Sequence, residues 1–157
     1  SIKCETTMAH YAFVRMANTT IGIVEDVIVI ADEDEDNLDE HLDPADKADG
    51  LVLIKCSYNT MMGKHYDPET NEEDDGTPLR FNYPSEGFTY DAVRDGFYET
   101  NKPFPSWVLD DETLTWQPPT PPGWEKPTDV VNEDRFNRWE WDEENLRWVP
   151  FAEENTD

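Results

Sequence analysis

Along this chain, apolar residues alternate with polar ones more often than they recur at helical spacing. H-Y-A-F-V-R-M (10–16) alternates as a half-buried strand does. A-N-T-T (17–20) supplies a turn. I-G-I-V-E-D-V-I-V-I-A (21–31) is then the most β-branched run in the chain, and such side chains suit a pleated surface. The two runs predict a first hairpin whose long second strand is central in a sheet. D-E-D-E-D (32–36) ends that strand, because five adjacent carboxylates repel one another and belong in water. Residues 37–50 read as a short helix or acidic loop, with Leu38 and Leu42 one turn apart and Pro44 breaking it. L-V-L-I-K-C-S-Y (51–58) reads as a buried strand. Residues 59–77 are polar and turn-rich, which predicts a long loop, and 78–83 an extended return to the body.

The C-terminal half repeats one pattern three times: F-T-Y-D-A-V-R-D-G-F-Y (88–98), W-V-L-D-D-E-T-L-T-W-Q (107–117) and W-E-W-D-E-E-N-L-R-W-V (139–149). In each copy a large apolar residue (Tyr90, Leu109, Trp141) is followed by Asp, and an aromatic residue (Phe97, Trp116, Trp148) stands seven positions on. Asp side chains bond nearby backbone and favour turns. Apolar flanks around such a centre predict three β-hairpins. A second apolar residue precedes the closing aromatic in two copies (Leu114, Leu146), whereas the first copy has Asp95 there. The links between copies are proline-rich: N-K-P-F-P-S (101–106) is stiff, and P-P-T-P-P-G-W (118–124) is extended like polyproline II. The fold class is therefore mainly β: a small N-terminal sheet with a short helix or acidic loop, followed by successive hairpins on Pro-rich links. The organisation reads as an arm (1–7), a β-rich body (8–83) with acidic insert 32–50 and loop 59–77, two aromatic hairpins (84–117), and a segment 118–157 holding the Pro-rich linker, the third hairpin and an acidic tail.

An isolated two-stranded hairpin is marginally stable in water, so the third copy needs something to pack on. Two readings of the aromatics stand: core of this chain, or anchors on another molecule, which protein interfaces favour. The candidate interface residues are Phe104, Trp107, Trp116, Trp124, Trp139, Trp141 and Trp148, with F-P-S-W (104–107) as a rigid elbow.

Charge narrows the function. With 37 acidic and 12 basic residues the formal charge is −25. Such a surface is repelled by nucleic acid and by anionic lipid, so neither is an expected partner. No apolar stretch approaches membrane-span length and no charged-then-apolar leader opens the chain; synthesis in a cytoplasm is expected. The two cysteines, Cys4 and Cys56, read as separate reduced thiols. Asp32, Asp34 and Asp36 have the opening spacing of a calcium loop. Asn37 and Asp43, however, stand where its glycine and bidentate glutamate belong. His10, His41 and His65 lack zinc spacing. There is no nucleophile elbow and no phosphate-cradling glycine loop. Cys56 near His65 lacks an identifiable orienting partner. The expectation is no enzyme, no metal and no cofactor. Exposed aromatics beside carboxylates leave a carbohydrate-binding module for host attachment as a different class of function.

Several segments together resemble a small protein of marine bacteriophages, notably those infecting cyanobacteria. They are M-A-H-Y-A-F (8–13), S-Y-N-T-M-M-G-K-H-Y-D-P-E-T (57–70), G-T-P-L-R-F-N-Y (76–83), G-F-T-Y-D-A-V-R-D-G-F (87–97), K-P-F-P-S-W-V-L-D-D-E-T-L-T-W-Q-P-P (102–119) and W-D-E-E-N-L-R-W-V (141–149). The similarity runs from Met8 onward, with 32–50 variable. It implies a virion structural protein, made in the host cytoplasm and carried on the particle, with other capsid or tail proteins as partners in a homo- or hetero-oligomer. The resemblance carries no catalytic residue. The charge favours a decoration or accessory protein on the capsid exterior. A tail fibre, adaptor or baseplate accessory is the other location. At seawater ionic strength the Debye length is only a few ångströms, about 3 Å at 1 M, which tames repulsion between packed copies.

Overall fold

The structure is a computed structural model that describes residues 8–119 and 139–150. The chain divides into two compact units. One comprises Ser1–Asn101 with Asp110–Thr115, and the other Lys102–Leu109 with Trp116–Asp157. The boundary runs through the second aromatic hairpin. Its tip belongs to the first unit and its strands to the second.

The first unit is built on an antiparallel sheet. β1 (Met8–Met16) and β2 (Ile21–Ala31) form the expected hairpin, and β3 (Leu51–Cys56) pairs with the other edge of β1. β4 (Thr60–Met61) and β5 (Lys64–His65) make a small separate hairpin. β6 (Thr89–Asp91) and β7 (Gly96–Tyr98) then complete a five-stranded sheet in the order β3-β1-β2-β6-β7. The mainly β expectation holds, and β2 is the middle strand of the five, as its β-branched composition suggested. The first aromatic hairpin is the sheet's own edge, since Ile21–Ile23 pair with Thr89–Asp91.

The sheet buries residues on both faces. Ala12, Val14, Val24, Cys56, Tyr90 and Phe97 form the main core, with Tyr83 and Phe88 packed against it. Ala9, Tyr11 and Ile30 bury the other face under Leu38. Leu38 belongs to the acidic insert, and here the structure corrects the sequence reading. Asp32–His41 winds as 3-10 turns interrupted at Asn37, and Pro44 opens rather than breaks a helix, α1 (Pro44–Ala48). Asp43 caps α1 by accepting from the Ala45 N–H at 2.8 Å, and proline suits the first turn, where its missing donor is not needed.

The insert is not simply solvated. Glu35 accepts from the Tyr11 hydroxyl at 2.6 Å and pairs with Lys55 at 3.0 Å. Arg15 pairs with Asp46 at 3.1 Å and Asp49 at 3.0 Å. Arg15 also meets Glu25 at 2.5 Å. That contact follows from a bulge: Phe13 faces Asp26 and Val14 faces Val24, which leaves Glu25 unpaired in the ladder. Gly50 enters β3 with φ +92°, and an added Cβ would stand 2.8 Å from the Met16 carbonyl oxygen. Only glycine fits that approach.

The 59–77 stretch is more ordered than a long loop. Besides β4 and β5 it holds a bridge between Tyr66 and Glu73, and His65 Nδ1 meets Asp74 Oδ1 at 2.5 Å. In the second unit, β8 (Val108–Leu109) pairs with β9 (Trp116–Gln117), and β10 (Trp139–Asp142) with β11 (Arg147–Pro150). No helix among the described residues is long and apolar enough to cross a membrane.

Candidate functional site

The three hairpins share one turn. The residues seven apart in sequence are direct cross-strand partners: Tyr90 with Phe97, Leu109 with Trp116, Trp141 with Trp148. The Asp after each first partner accepts backbone N–H groups of the turn. Asp91 accepts from Val93 and Arg94, Asp110 from Glu112, and Asp142 from Glu144 and Asn145. The residue two before each aromatic lies in the left-handed region: Asp95 at φ 54°, Leu114 at 53° and Leu146 at 54°. The sequence reading placed Leu114 and Leu146 on strand flanks. They are turn residues, and few non-glycine residues adopt this conformation.

The copies then diverge. In the first, Tyr90 and Phe97 are buried in the sheet core. Its Asp95 accepts from the Tyr90 hydroxyl at 2.6 Å and from Arg80 Nε at 2.9 Å, which accounts for an acid in place of leucine. In the second, the tip is held by Asn82. Its Nδ2 donates to the carbonyls of Phe97 (2.9 Å), Thr113 (3.2 Å) and Leu114 (3.1 Å), and its Oδ1 accepts from Met62 N–H at 2.8 Å. Leu114 is fully buried.

The third copy, in the second unit, carries the aromatic cluster. Trp107 meets Trp141 and Trp148 edge-on, with centroids 5.9 and 6.0 Å away, and Trp141 meets Trp148 at 5.5 Å. Phe104 tilts against Trp107 at 5.5 Å. Each such pair adds about 0.5–1.5 kcal/mol beyond the area it buries. One carboxylate fixes the arrangement: Glu143 accepts from the Ser106 N–H (2.9 Å), the Ser106 hydroxyl (2.6 Å) and Trp141 Nε1 (2.8 Å). The Ser106 hydroxyl, first, and the Trp141 indole lower the Glu143 pKa against the opposing effect of desolvation. Trp107 Nε1 is buried and has no hydrogen-bond partner among the described residues.

Of the predicted residues, Phe104, Trp107, Trp141 and Trp148 come together. Trp116 pairs with Leu109 across the second hairpin, and Lys102 Nζ lies 5.8 Å from its ring. Trp139 lies two residues before Trp141 on β10, opposite Pro150. Trp124 lies outside the described residues. The residues missed are Ser106 and Glu143. Each stands beside a predicted aromatic segment, Glu143 directly after the W-D pair and Ser106 directly before Trp107, but no local signal joins the two.

Other candidate chemistry falls away from this cluster. Cys56 is buried in the sheet core, and desolvation pushes its thiol up to about 12. His65 faces Asp74, not Cys56. No group of three His, Cys, Asp or Glu side chains among the described residues is arranged to hold a metal ion. The fold thus defines an antiparallel β-protein with a repeated Asp-turn hairpin. Compared with family models, curated proteins and solved structures, the chain has no match.

Proposed function

We propose that this protein is a non-enzymatic structural component of a bacteriophage particle, a decoration or accessory protein on the capsid exterior. The observation that carries the attachment role is the second unit. There Phe104 and Trp107, just ahead of β8, gather with Trp141 and Trp148 of β10 and β11, and Glu143 ties Ser106 to Trp141. Aromatic side chains held rigid before binding lose little entropy on docking, which is how interfaces gain affinity from few residues. The particle is suggested by the motifs that resemble those of marine phage proteins. The charge supports an outer position away from packaged nucleic acid. Every Lys and Arg among the described residues is engaged by an acidic partner or, for Lys102, by the Trp116 ring. The negative excess is therefore left facing solvent.

The test is a count of copies per purified particle by quantitative mass spectrometry against the major capsid protein. Hundreds of copies are expected. A handful or tens would move the protein to the tail, and absence from the particle would overturn the proposal. A Trp148→Ala variant should fall in occupancy while its first unit stays folded.

A further inference from the structure

In the first unit two open clefts adjoin, and Tyr58 with Asn59 lines both of them. The first, about 420 Å³, is completed by residues that include His10, Asp32, Glu35 and Lys55. The second, about 350 Å³, is completed by residues that include Tyr66, Asp67 and Asn71. Tyr58 forms the ridge between them and is 67% exposed. An exposed ring is ordinarily mobile, but this one is buttressed. His10 stacks on it with centroids 6.1 Å apart and planes 25° apart, and Tyr83 meets it edge-on at 5.7 Å. Tyr83 and His10 meet in turn at 5.5 Å. Tyr83 is itself packed against the sheet core, so the exposed Tyr58 ring is held on a fixed support, ready for a ligand.

The polar groups beside the ridge are available. The side-chain amide of Asn59 makes no hydrogen bond among the described residues, nor does the Tyr58 hydroxyl. Asp67 spends Oδ1 on the Glu69 and Thr70 N–H groups, which fixes the carboxylate and leaves Oδ2 without a hydrogen-bond partner among the described residues. An amide offers two donors and one acceptor, and a carboxylate oxygen offers acceptors alone. Flanking a flat apolar ring, they match the alternating C–H face and hydroxyl edge of a pyranose. The carboxylates of Asp32, Glu35 and Asp67 around the clefts bear on which sugar. A sulfated or uronic residue would bring like charge to a surface already carrying −25.

We infer that the Tyr58 ridge is a carbohydrate-binding site for neutral hexose or N-acetylhexosamine units, one residue stacking on the ring and its neighbours entering the two clefts. This goes beyond the structural role proposed above and does not depend on it. Copy number in a particle says nothing about glycan binding, and glycan binding says nothing about copy number.

The test uses the full chain on an array of neutral hexose and N-acetylhexosamine oligosaccharides beside sulfated and uronic-acid oligosaccharides, followed by calorimetry on the best neutral glycan. Binding to neutral glycans alone is expected. Tyr58→Ala and Asn59→Ala should each weaken it at least tenfold with the melting temperature unchanged, whereas Tyr58→Phe retains the ring and the binding. Trp141→Ala, in the other unit, should bind as the parent does. The inference is overturned by absence of neutral-glycan binding at millimolar concentration. It is equally overturned by Tyr58→Ala binding like the parent, or by loss on Trp141→Ala alone.

Discussion

Removing the Asn82 side chain should unfold the first unit out of proportion to its size. Asn82 is nearly buried, and its one amide joins three segments: the β7 strand through Phe97, the second hairpin tip through Thr113 and Leu114, and the left-handed Met62 through its N–H. Because all three Nδ2 acceptors are carbonyls and the Oδ1 partner is an N–H, the amide's orientation is unambiguous. Each ordinary hydrogen bond contributes about 0.5–1.5 kcal/mol net, and leaving a buried group unpaired costs about 1–3 kcal/mol. Asn82→Ala deprives two buried carbonyls, those of Phe97 and Leu114, and the part-buried Thr113 carbonyl and Met62 N–H. The expected loss is about 3 kcal/mol, with water entering to relieve part of it. With a urea dependence of about 2 kcal/mol per molar, the far-UV circular dichroism midpoint should fall by roughly 1.5 M. Asn82→Asp gives the sharper test. Its carboxylate would keep the Met62 bond but turn an anionic oxygen towards three carbonyls, so at pH 7 it should be less stable than Asn82→Ala. Protonation restores a donor, so that difference should shrink as the pH falls towards about 4. A loss below about 1 kcal/mol for the alanine variant, or an aspartate variant as stable as the parent at neutral pH, would refute the reasoning.

Three other outcomes are expected. The Glu143 carboxyl has a folded pKa below its usual 4.5. Its contribution is therefore present above that pH and is lost as the pH falls through the depressed value. Near-UV circular dichroism of the tryptophans should report that loss, and Glu143→Gln should flatten it. Leu146 and Leu114 share one strained conformation but not one environment, since Leu146 is 38% exposed and Leu114 is fully buried. Leu146→Gly should accordingly be neutral or stabilising by up to about 1 kcal/mol, and Leu114→Gly destabilising by about 2–5 kcal/mol, both read by thermal melting. The Cys56 thiol, held up to about 12 by burial, should resist a thiol reagent at pH 8 in the native protein and react once urea unfolds it.

What the sequence revealed was the local part of the fold. The spacing of Tyr90 to Phe97 and of Trp141 to Trp148 became cross-strand pairing because an Asp-initiated turn of fixed length leaves no other register. The β-branched run became a strand inside the sheet. Long-range partners were hidden. Nothing near Glu35, Asp46 or Asp49 announces that Arg15 and Lys55 will bind them, and an acidic run reads as solvated whether or not it is. Leucine gives no hint of a left-handed turn, so Leu114 and Leu146 were assigned by their hydrophobicity alone. Pro44 differs in kind: D-P is a helix-start signal, but the apolar pair Leu38 and Leu42 just before it has helical spacing of its own and masks that start. In the aromatic site the large rings were legible and their polar anchor was not, because Ser106 and Glu143 stand far apart in sequence.

The order of the sheet has a consequence for synthesis. β2 is complete once Ala31 has been made, yet the strand that pairs with its first three residues, Thr89–Asp91, emerges about seventy residues after Ile21. At 5–20 residues per second that is roughly 4–14 s during which a β-branched edge has no native neighbour on that side. Such an edge is a template for pairing with other nascent chains. The five carboxylates of 32–36 leave the ribosome directly behind it, where they act as gatekeepers. An acidic run that later docks on the sheet thus first protects the strand on the way to being folded.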